Sequence, residues 1–305
     1  MKVLHICNNY TMSTVHQEMA NASRALGTQN TVFAPVLGLA GSGRVTLGEG
    51  EYAVKCVSRA DRYFYYHKQE KIYQALRKTV SPEKFNLIHT HCVFSDGNNA
   101  LRLKQELGIP YIVTVNNTDI NAFFRLRKLL HGRGIEILRE ASFIVFISEA
   151  YRRSLFRKYI PEALQEELYK KTRIIPFGID RFWLDNLRRE KQPLPDGRRL
   201  RLFYAGNIDR NKNASMTLRA MELLRQKGWE TTLTAAGWAA DPSVLQKLLK
   251  DSAFQYAGPQ PKEKLIECYR QNDIFVMPSL TETFGLVYAE ALSQGLPIVY
   301  SQGQG

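Results

Sequence analysis

The chain has 305 residues, with 42 Lys and Arg against 29 Asp and Glu, for a formal net charge of +13. Hydrophobic residues make up 44% and charged residues 23%, an ordinary globular balance with apolar mass for about two cores. That balance excludes a disordered tail, a collagen-like fibre and a disulfide-stapled miniprotein, while the positive surplus points to an anionic partner: phosphorylated ligand, nucleic acid or phospholipid headgroups.

The opening MKVLHICNNYTMS carries an apolar run too short for a signal peptide, and no stretch reaches the roughly 18 apolar residues of a membrane span. Cys7, Cys56, Cys92 and Cys268 lack CxxC spacing and fit reduced thiols, so a cytoplasmic location is expected. KVLHIC reads as a strand, Thr14–Leu26 as a helix with Val15, Met19, Ala22 and Leu26 on one face, and TVFAP as a second strand. A glycine-rich loop over Gly38–Gly50 leads to a strand EYAVKCV and a helix over Asp61–Thr79. FNLIHTH, PYIVTV, FIVFIS and TRIIPF complete the strands of the first half. Arg188–Arg199, RREKQPLPDGRR, has linker composition, which divides the chain into domains 1–187 and 200–305. RLFYAG, TTLTAAG, AFQYAG, DIFVMPS and LPIVYS then alternate with helices at Ala214–Lys227, Pro242–Lys250, Lys262–Arg270 and Phe284–Gln294. Short apolar strands alternating with helices give an α/β fold of two doubly wound, Rossmann-like parallel sheets. The second half ends on a strand and a polar loop without a closing helix, so it reads as incomplete.

In such sheets ligands bind outside the carboxyl ends of the strands, which directs attention to Pro278–Val299. There Glu282 precedes the step Phe284-Gly285 that opens a helix, and Glu290 lies inside that helix. Helix N-termini present unpaired amides and partial positive charge to phosphate, and glycine admits close approach. A helical offset of eight residues would separate the two carboxylates by roughly 12 Å, wider than the about 5–9.5 Å of a glycosidase pair. Two glutamates flanking a phosphate seat suit hydroxyls at either end of a sugar–diphosphate–ribose ligand; the plainer reading makes them helix-end and solvated charges. In the loop after the next sheet's first strand, Gly206 is followed by Lys212, a cation placed to neutralise a departing diphosphate with Arg210 assisting. Found alone, Lys212 would read as a surface lysine.

Taken together these segments resemble the retaining, glycogen-synthase-like nucleotide-sugar glycosyltransferases of GT-B fold (family 4, group 1), strongly over Leu200–Val299 and less so over Phe85–Asp180. The resemblance implies donor binding in the second domain, acceptor binding mainly in the first and chemistry in the cleft. Glu282 would bind hydroxyls of the transferred sugar, Glu290 the ribose, and the backbone of Thr283, Phe284, Gly285 and Leu286 the sugar and diphosphate. Lys212 matches the phosphate-binding lysine. The companion arginine after the glycine is Asn207 here, leaving Arg210 as its substitute. The usual double-glycine loop is NNYTMST at Asn8–Thr14, and a customary His-Gly pair appears as Asn116-Asn117, followed by Asp119. His91, Asn116 and Asp119 are accordingly the acceptor-side candidates. The resemblance further implies transfer with retention, by same-face attack assisted by the leaving phosphate, to a saccharide or lipid-linked acceptor, as in surface polysaccharide or lipopolysaccharide assembly.

His89–Cys92, HTHC, carries zinc-ligand types, but successive strand residues point to opposite faces and no complementary cluster is evident in the sequence. His91 is expected to face the cleft. No metal is assigned, no Asp-x-Asp motif offers to hold Mg²⁺, and no cofactor is required beyond the donor. Between Phe123 and Ile160 nine Lys and Arg oppose three Glu, interleaved with Phe123, Phe124, Leu126, Leu129 and Leu130 as on an interfacial helix. Arg62–Lys71, RYFYYHKQEK, is a second such cluster. Both point to peripheral contact with an anionic membrane, with core aromatics under a solvated basic face as the alternative. No nucleic-acid motif is present. A weakly catalytic or truncated nucleotide-sugar-binding module and an epimerase on the same fold are the competing functions.

Overall fold

The computed structural model describes residues 1–12, 14–37, 46–190 and 197–304. It comprises two compact units, Met1–Gly178 and Ile179–Gly305. The first holds strands β1 (Lys2–Ile6), β2 (Gln29–Val36), β3 (Glu51–Lys55), β4 (Leu87–Thr90), β5 (Tyr111–Val115), β6 (Phe143–Phe146) and β7 (Thr172–Ile174), ordered β3-β2-β1-β4-β5-β6-β7. All its pairings are parallel. Helices α1 (Thr14–Ala25), α2 (Tyr65–Thr79), α3 (Asn98–Leu107), α4 (His131–Glu140), α5 (Glu149–Tyr159) and α6 (Glu162–Lys170) connect them. Parallel strands need such crossovers, and sheets covered on both faces read as unbroken apolar runs, which is why the strands are visible in the sequence. Leu4, Ile6, Phe33, Ile88, Val113 and Phe146 are buried at the core of this unit.

The second unit opens with α7 (Arg181–Asp185), followed by β8 (Arg199–Ala205), α8 (Ala214–Gln226), β9 (Glu230–Ala236), α9 (Pro242–Leu248), β10 (Phe254–Gly258), α10 (Lys262–Gln271), β11 (Ile274–Met277), α11 (Leu286–Ser293) and β12 (Ile298–Tyr300). Its parallel sheet is ordered β10-β9-β8-β11-β12. An aromatic cluster anchors it: the Tyr269 ring meets Trp183 at 5.5 Å and Phe203 at 4.9 Å, both edge-on.

The division at Gly178 falls ahead of the boundary expected at residue 187. Ile179, Phe182 and Trp183 pack into the second core, a role that a five-residue helix hides in the sequence. Arg188 N–H donates to the Ser293 carbonyl, so the expected linker starts attached to the second unit. Residues 191–196 of that segment, and residues 38–45 of the glycine-rich loop, lie outside the described residues. Phe123–Leu130, expected as an interfacial helix, is instead a π-helical turn (Asp119–Phe124) followed by a 3₁₀ turn (Lys128–Leu130). Phe124 and Leu130 turn inward, and Phe123 stacks on Phe94 at 4.7 Å.

Each sheet reverses direction at its first strand: β1 lies between β2 and β4, and β8 between β9 and β11. Crevices outside the carboxyl ends of strands form at such points. Two loops of the second unit flank one of them, residues 206–213 after β8 and 278–285 after β11.

Candidate functional site

Strand β8 delivers the first loop with little room to spare. Gly206 N–H donates to Ala236 O at 2.9 Å and Ile208 N–H to Trp238 O at 2.8 Å. A Cβ on Gly237 would lie 1.9 Å from Gly206 O, so only glycine permits this approach. Asn207 is exposed, its carbonyl accepting from the buried Tyr204 hydroxyl at 2.5 Å. Asp209 Oδ1 accepts from Lys212 N–H at 2.8 Å, which folds the loop into a turn. Asn213 (φ +57) then leads into α8.

Asn211 stitches this loop to the one after β11. Its carbonyl accepts from Leu280 N–H at 2.7 Å, its Oδ1 from Thr281 N–H at 3.0 Å, and its Nδ2 donates to Thr281 O at 2.9 Å. Asn213 Nδ2 adds a bond to Pro278 O at 3.2 Å. The stitching places Lys212 Nζ 2.5 Å from Glu282 Oε2. Glu282 is buried; it also accepts from Ser279 Oγ at 3.4 Å and Thr283 N–H at 3.1 Å, and its own N–H donates to Gln304 Oε1 at 2.9 Å. The two residues singled out separately in the sequence are therefore each other's partners. Asn211, Asn213, Ser279 and Gln304 were missed, because nothing short-range marks a bond spanning some seventy residues of chain, as Asn211–Thr281 does.

Helix α11 starts at Leu286, not Phe284, because Gly285 adopts φ +75. A Cβ there would meet the Tyr288 ring at 2.3 Å. Glu282 thus lies in the loop, and a helical offset does not set its distance from Glu290. Gly285 offers no side-chain cap, so the first amides of α11 and its dipole face the loop that carries Thr283, Phe284 and Glu282. Glu290 is held elsewhere on the helix. Burial pushes its carboxyl up, against the opposing effects of Tyr269, whose hydroxyl donates to Oε2 at 3.3 Å, and the charge of Lys262. Lys262 itself pairs with Asp180.

Arg210 does not join Lys212. Its side chain is 83% exposed and lies 3.5 Å from Asp241 Oδ2, and Asp241 caps α9 by accepting from Ser243 N–H at 3.0 Å. An acidic cap across the β9 end draws the guanidinium aside.

In the first unit the acceptor-side candidates are differently placed. Asp119 is fully buried and accepts from the amides of Val93, Phe94 and Asn116 at 3.0, 3.1 and 2.9 Å. Burial raises its carboxyl to about 6 against the pull of these bonds, so it anchors the turn after β4. Asn116 is half-buried, and its Oδ1 accepts from Asn117 N–H at 2.7 Å. His91 is 2% exposed and turned into a histidine cluster. His5 pairs in register with His89, the His91 ring stacks on His89 at 4.5 Å, and His16 approaches from α1 at 5.0 Å. The complementary residues missing from the local sequence come from β1 and α1.

The two basic-aromatic segments form one surface. Arg127 Nη2 donates to Arg62 O at 2.6 Å, and Tyr63, Phe64, Tyr66, Leu126 and Leu129 are all exposed. Among the described residues no helix is long and apolar enough to cross a membrane.

Comparison with known proteins matches the model for "Glycosyltransferase Family 4" over residues 12–181 and that for "Glycosyl transferases group 1" over residues 199–305. An uncharacterized glycosyltransferase of Methanocaldococcus jannaschii is 23% identical over 234 residues, which is 72% of this chain and 58% of that protein. A D-inositol 3-phosphate glycosyltransferase of Salinispora arenicola is 26% identical over 239 residues, 70% of this chain and 53% of its own length. The chain thus spans a little over half the length of these relatives. Sucrose-phosphate synthase from Thermosynechococcus elongatus superposes with a TM-score of 0.74 at 17% identity, covering 100% of this chain and 82% of that one. An Anabaena protein solved with UDP and glucose gives 0.65 at 13% identity, covering 100% and 82%. These two likenesses establish the GT-B fold.

Proposed function

The chain belongs to the family 4, group 1 glycosyltransferases, and from that membership we propose that it transfers a sugar from a nucleoside diphosphate sugar to a saccharide or lipid-linked acceptor. The observation that carries the reading is the 2.5 Å pair of Lys212 and Glu282, beside the uncapped start of α11 and at the carboxyl ends of β8 and β11. Breaking the anomeric C–O bond builds positive charge on the sugar and negative charge on the departing diphosphate. Fixed cations and amides at that position stabilise the leaving group without reorganising. On donor entry the diphosphate takes the Lys212 ammonium, and the released Glu282 carboxylate turns to hydroxyls of the sugar. Gly285 lets phosphate oxygens reach the first amides of α11. Glu290, held by Tyr269, is assigned to the ribose. Transfer with retention, assisted by the leaving phosphate, follows from the family, with ammonium and amide charge meeting the diphosphate where other enzymes use a divalent cation.

The exposed aromatic and basic residues bridged by Arg127 support contact with an anionic membrane, and with it a lipid-linked acceptor in surface polysaccharide or lipopolysaccharide assembly. One observation favours a second reading, a nucleotide-sugar-binding module of weak turnover: Arg210 leans to Asp241 and Asn207 carries no charge, so Lys212 faces the diphosphate without a companion cation.

Thermal stabilisation of the purified chain by UDP-, GDP- and ADP-sugars tests the assignment, since a ligand bound only by the native state raises its stability. A melting-temperature rise with one base, followed by sugar transfer when acceptor is added, is expected. Stabilisation without turnover selects the binding module, and no response to any nucleotide sugar overturns both readings.

A further inference from the structure

The histidine cluster of the first unit has chemistry that sugar transfer leaves unused. Cys7 directly follows β1, His91 directly follows β4 and His16 lies on α1, so the three meet where the first sheet reverses direction, outside the carboxyl ends of its strands. They are 0%, 2% and 6% exposed. One donor atom from each lies within 4.8 Å of the others. Buried side-chain nitrogens are nearly always hydrogen-bonded, yet Nδ1 of His16 and Nδ1 of His91 have no hydrogen-bond partner among the described residues.

We propose that Cys7, His16 and His91 form a binding site for a thiophilic divalent metal ion of zinc type. The ligand set supports this. One thiolate and two imidazoles suit Zn²⁺, which takes three protein ligands and keeps a fourth position for water or another group. Tetrahedral Zn–S and Zn–N bonds hold their donor atoms about 3.4–3.6 Å apart, so donors within 4.8 Å of one another need at most about 1.4 Å of closure to coordinate.

The surroundings of His91 point the same way. Metal-ligating histidines usually bond through their other ring nitrogen to a partner that fixes tautomer and orientation. Nε2 of His91 lies 3.2 Å from Nδ1 of His5, which leaves Nδ1 of His91 to face the ion. Coordination takes the thiolate of Cys7 and so releases its proton, Cys–SH and M²⁺ giving Cys–S–M⁺ and H⁺. Zinc held here would tie α1 to the ends of β1 and β4. None of this rests on the proposed transfer reaction.

Cobalt(II) and zinc titrations of the full chain test the site. One saturating equivalent of Co²⁺ is expected, with a thiolate-to-cobalt charge-transfer band in the near ultraviolet and tetrahedral visible bands. Zn²⁺ should displace the Co²⁺, with about one proton released per ion bound in weakly buffered solution. The Cys7→Ser variant should lose the charge-transfer band, and His16→Gln should weaken Co²⁺ binding at least tenfold, with circular dichroism confirming that both remain folded. Should Cys7→Ser fail to fold, His16→Gln and the wild-type spectrum still decide. Absence of a thiolate band from saturated wild type, or undiminished Co²⁺ affinity in folded His16→Gln, overturns the site.

Discussion

Lys212 pairs with Glu282, and a lysine so placed is a switchable partner for the proposed donor. Lys212→Ala is expected to lower kcat by roughly 10²–10³-fold through loss of leaving-group stabilisation. The pair is partly exposed, with side-chain accessibilities of 22% and 10%, so the loss of folding stability should stay at about 1–2 kcal/mol. Steady-state rates at saturating donor, with urea unfolding alongside, separate the two effects; near-normal turnover would remove Lys212 from the chemistry. Asp119 teaches the opposite lesson. Its place after Asn116-Asn117 suggested acceptor contact, but three backbone amides claim it, and no local pattern announces amides that lie about 25 residues away in the chain. Its folded carboxyl titrates near 6, above the ordinary 3.8. The native state therefore binds the proton more tightly than the unfolded chain, and the contribution of Asp119 to stability falls as pH rises from about 4 to about 6. Asp119→Asn, which keeps a carbonyl acceptor and loses the buried charge, should gain stability relative to wild type between pH 5 and pH 7.5. Urea midpoints at those two pH values check this, and a pH-independent difference refutes it.

Among the elements, the strands of both sheets were legible because each is a short apolar run, and helices α8 to α10 because their starts and stops are local. Helices α3 to α6 were not singled out. The core stripes of α4 to α6 are thin among charged residues, as in α5, where only Tyr151, Leu155 and Phe156 are buried. The sequence places the start of α11 two residues early, since it shows a glycine but not the sign of its φ. That glycine carries an element-scale prediction. Gly285→Ala adopts φ +75 only with strain of about 1–2 kcal/mol, and its Cβ runs into the Tyr288 ring. The variant is expected to lose at least that much stability and to bind nucleotide sugar measurably more weakly by calorimetry; unchanged affinity would detach the start of α11 from the donor site. Asn211→Ala removes two side-chain bonds between the loops and should weaken donor binding about thirtyfold, at about 1 kcal/mol per bond.

For the whole molecule, the alternation of strands and helices indicated two α/β units and the motifs pointed to the loops after β8 and β11, whereas the histidine cluster stayed hidden because its members come from β1, α1 and β4. Nucleotide sugar should slow amide exchange in residues 206–213 and 279–290 of the second unit; protection confined to residues 1–178 would relocate the donor site. The net charge of +13 has a similarly global test. Cosedimentation with phosphatidylglycerol-containing vesicles should be strong at low salt and fade as the Debye length shortens to about 10 Å near 0.1 M. An Arg125→Ser, Leu129→Ser variant should sediment less, and equal sedimentation would clear that surface of a membrane role.

If the proposed transfer holds, the bond between Lys212 and Glu282 also bears on discrimination between substrate and spent product. A bare nucleoside diphosphate that pulls Lys212 away strands the carboxylate, while an intact donor occupies both groups at once. Under the proposed transfer, once the glycosyl group has departed Glu282 would regain its claim on the ammonium and displace the spent nucleotide. Inhibition by the diphosphate product should accordingly be weak beside the affinity for the sugar-bearing form, and Glu282→Gln should reverse that preference.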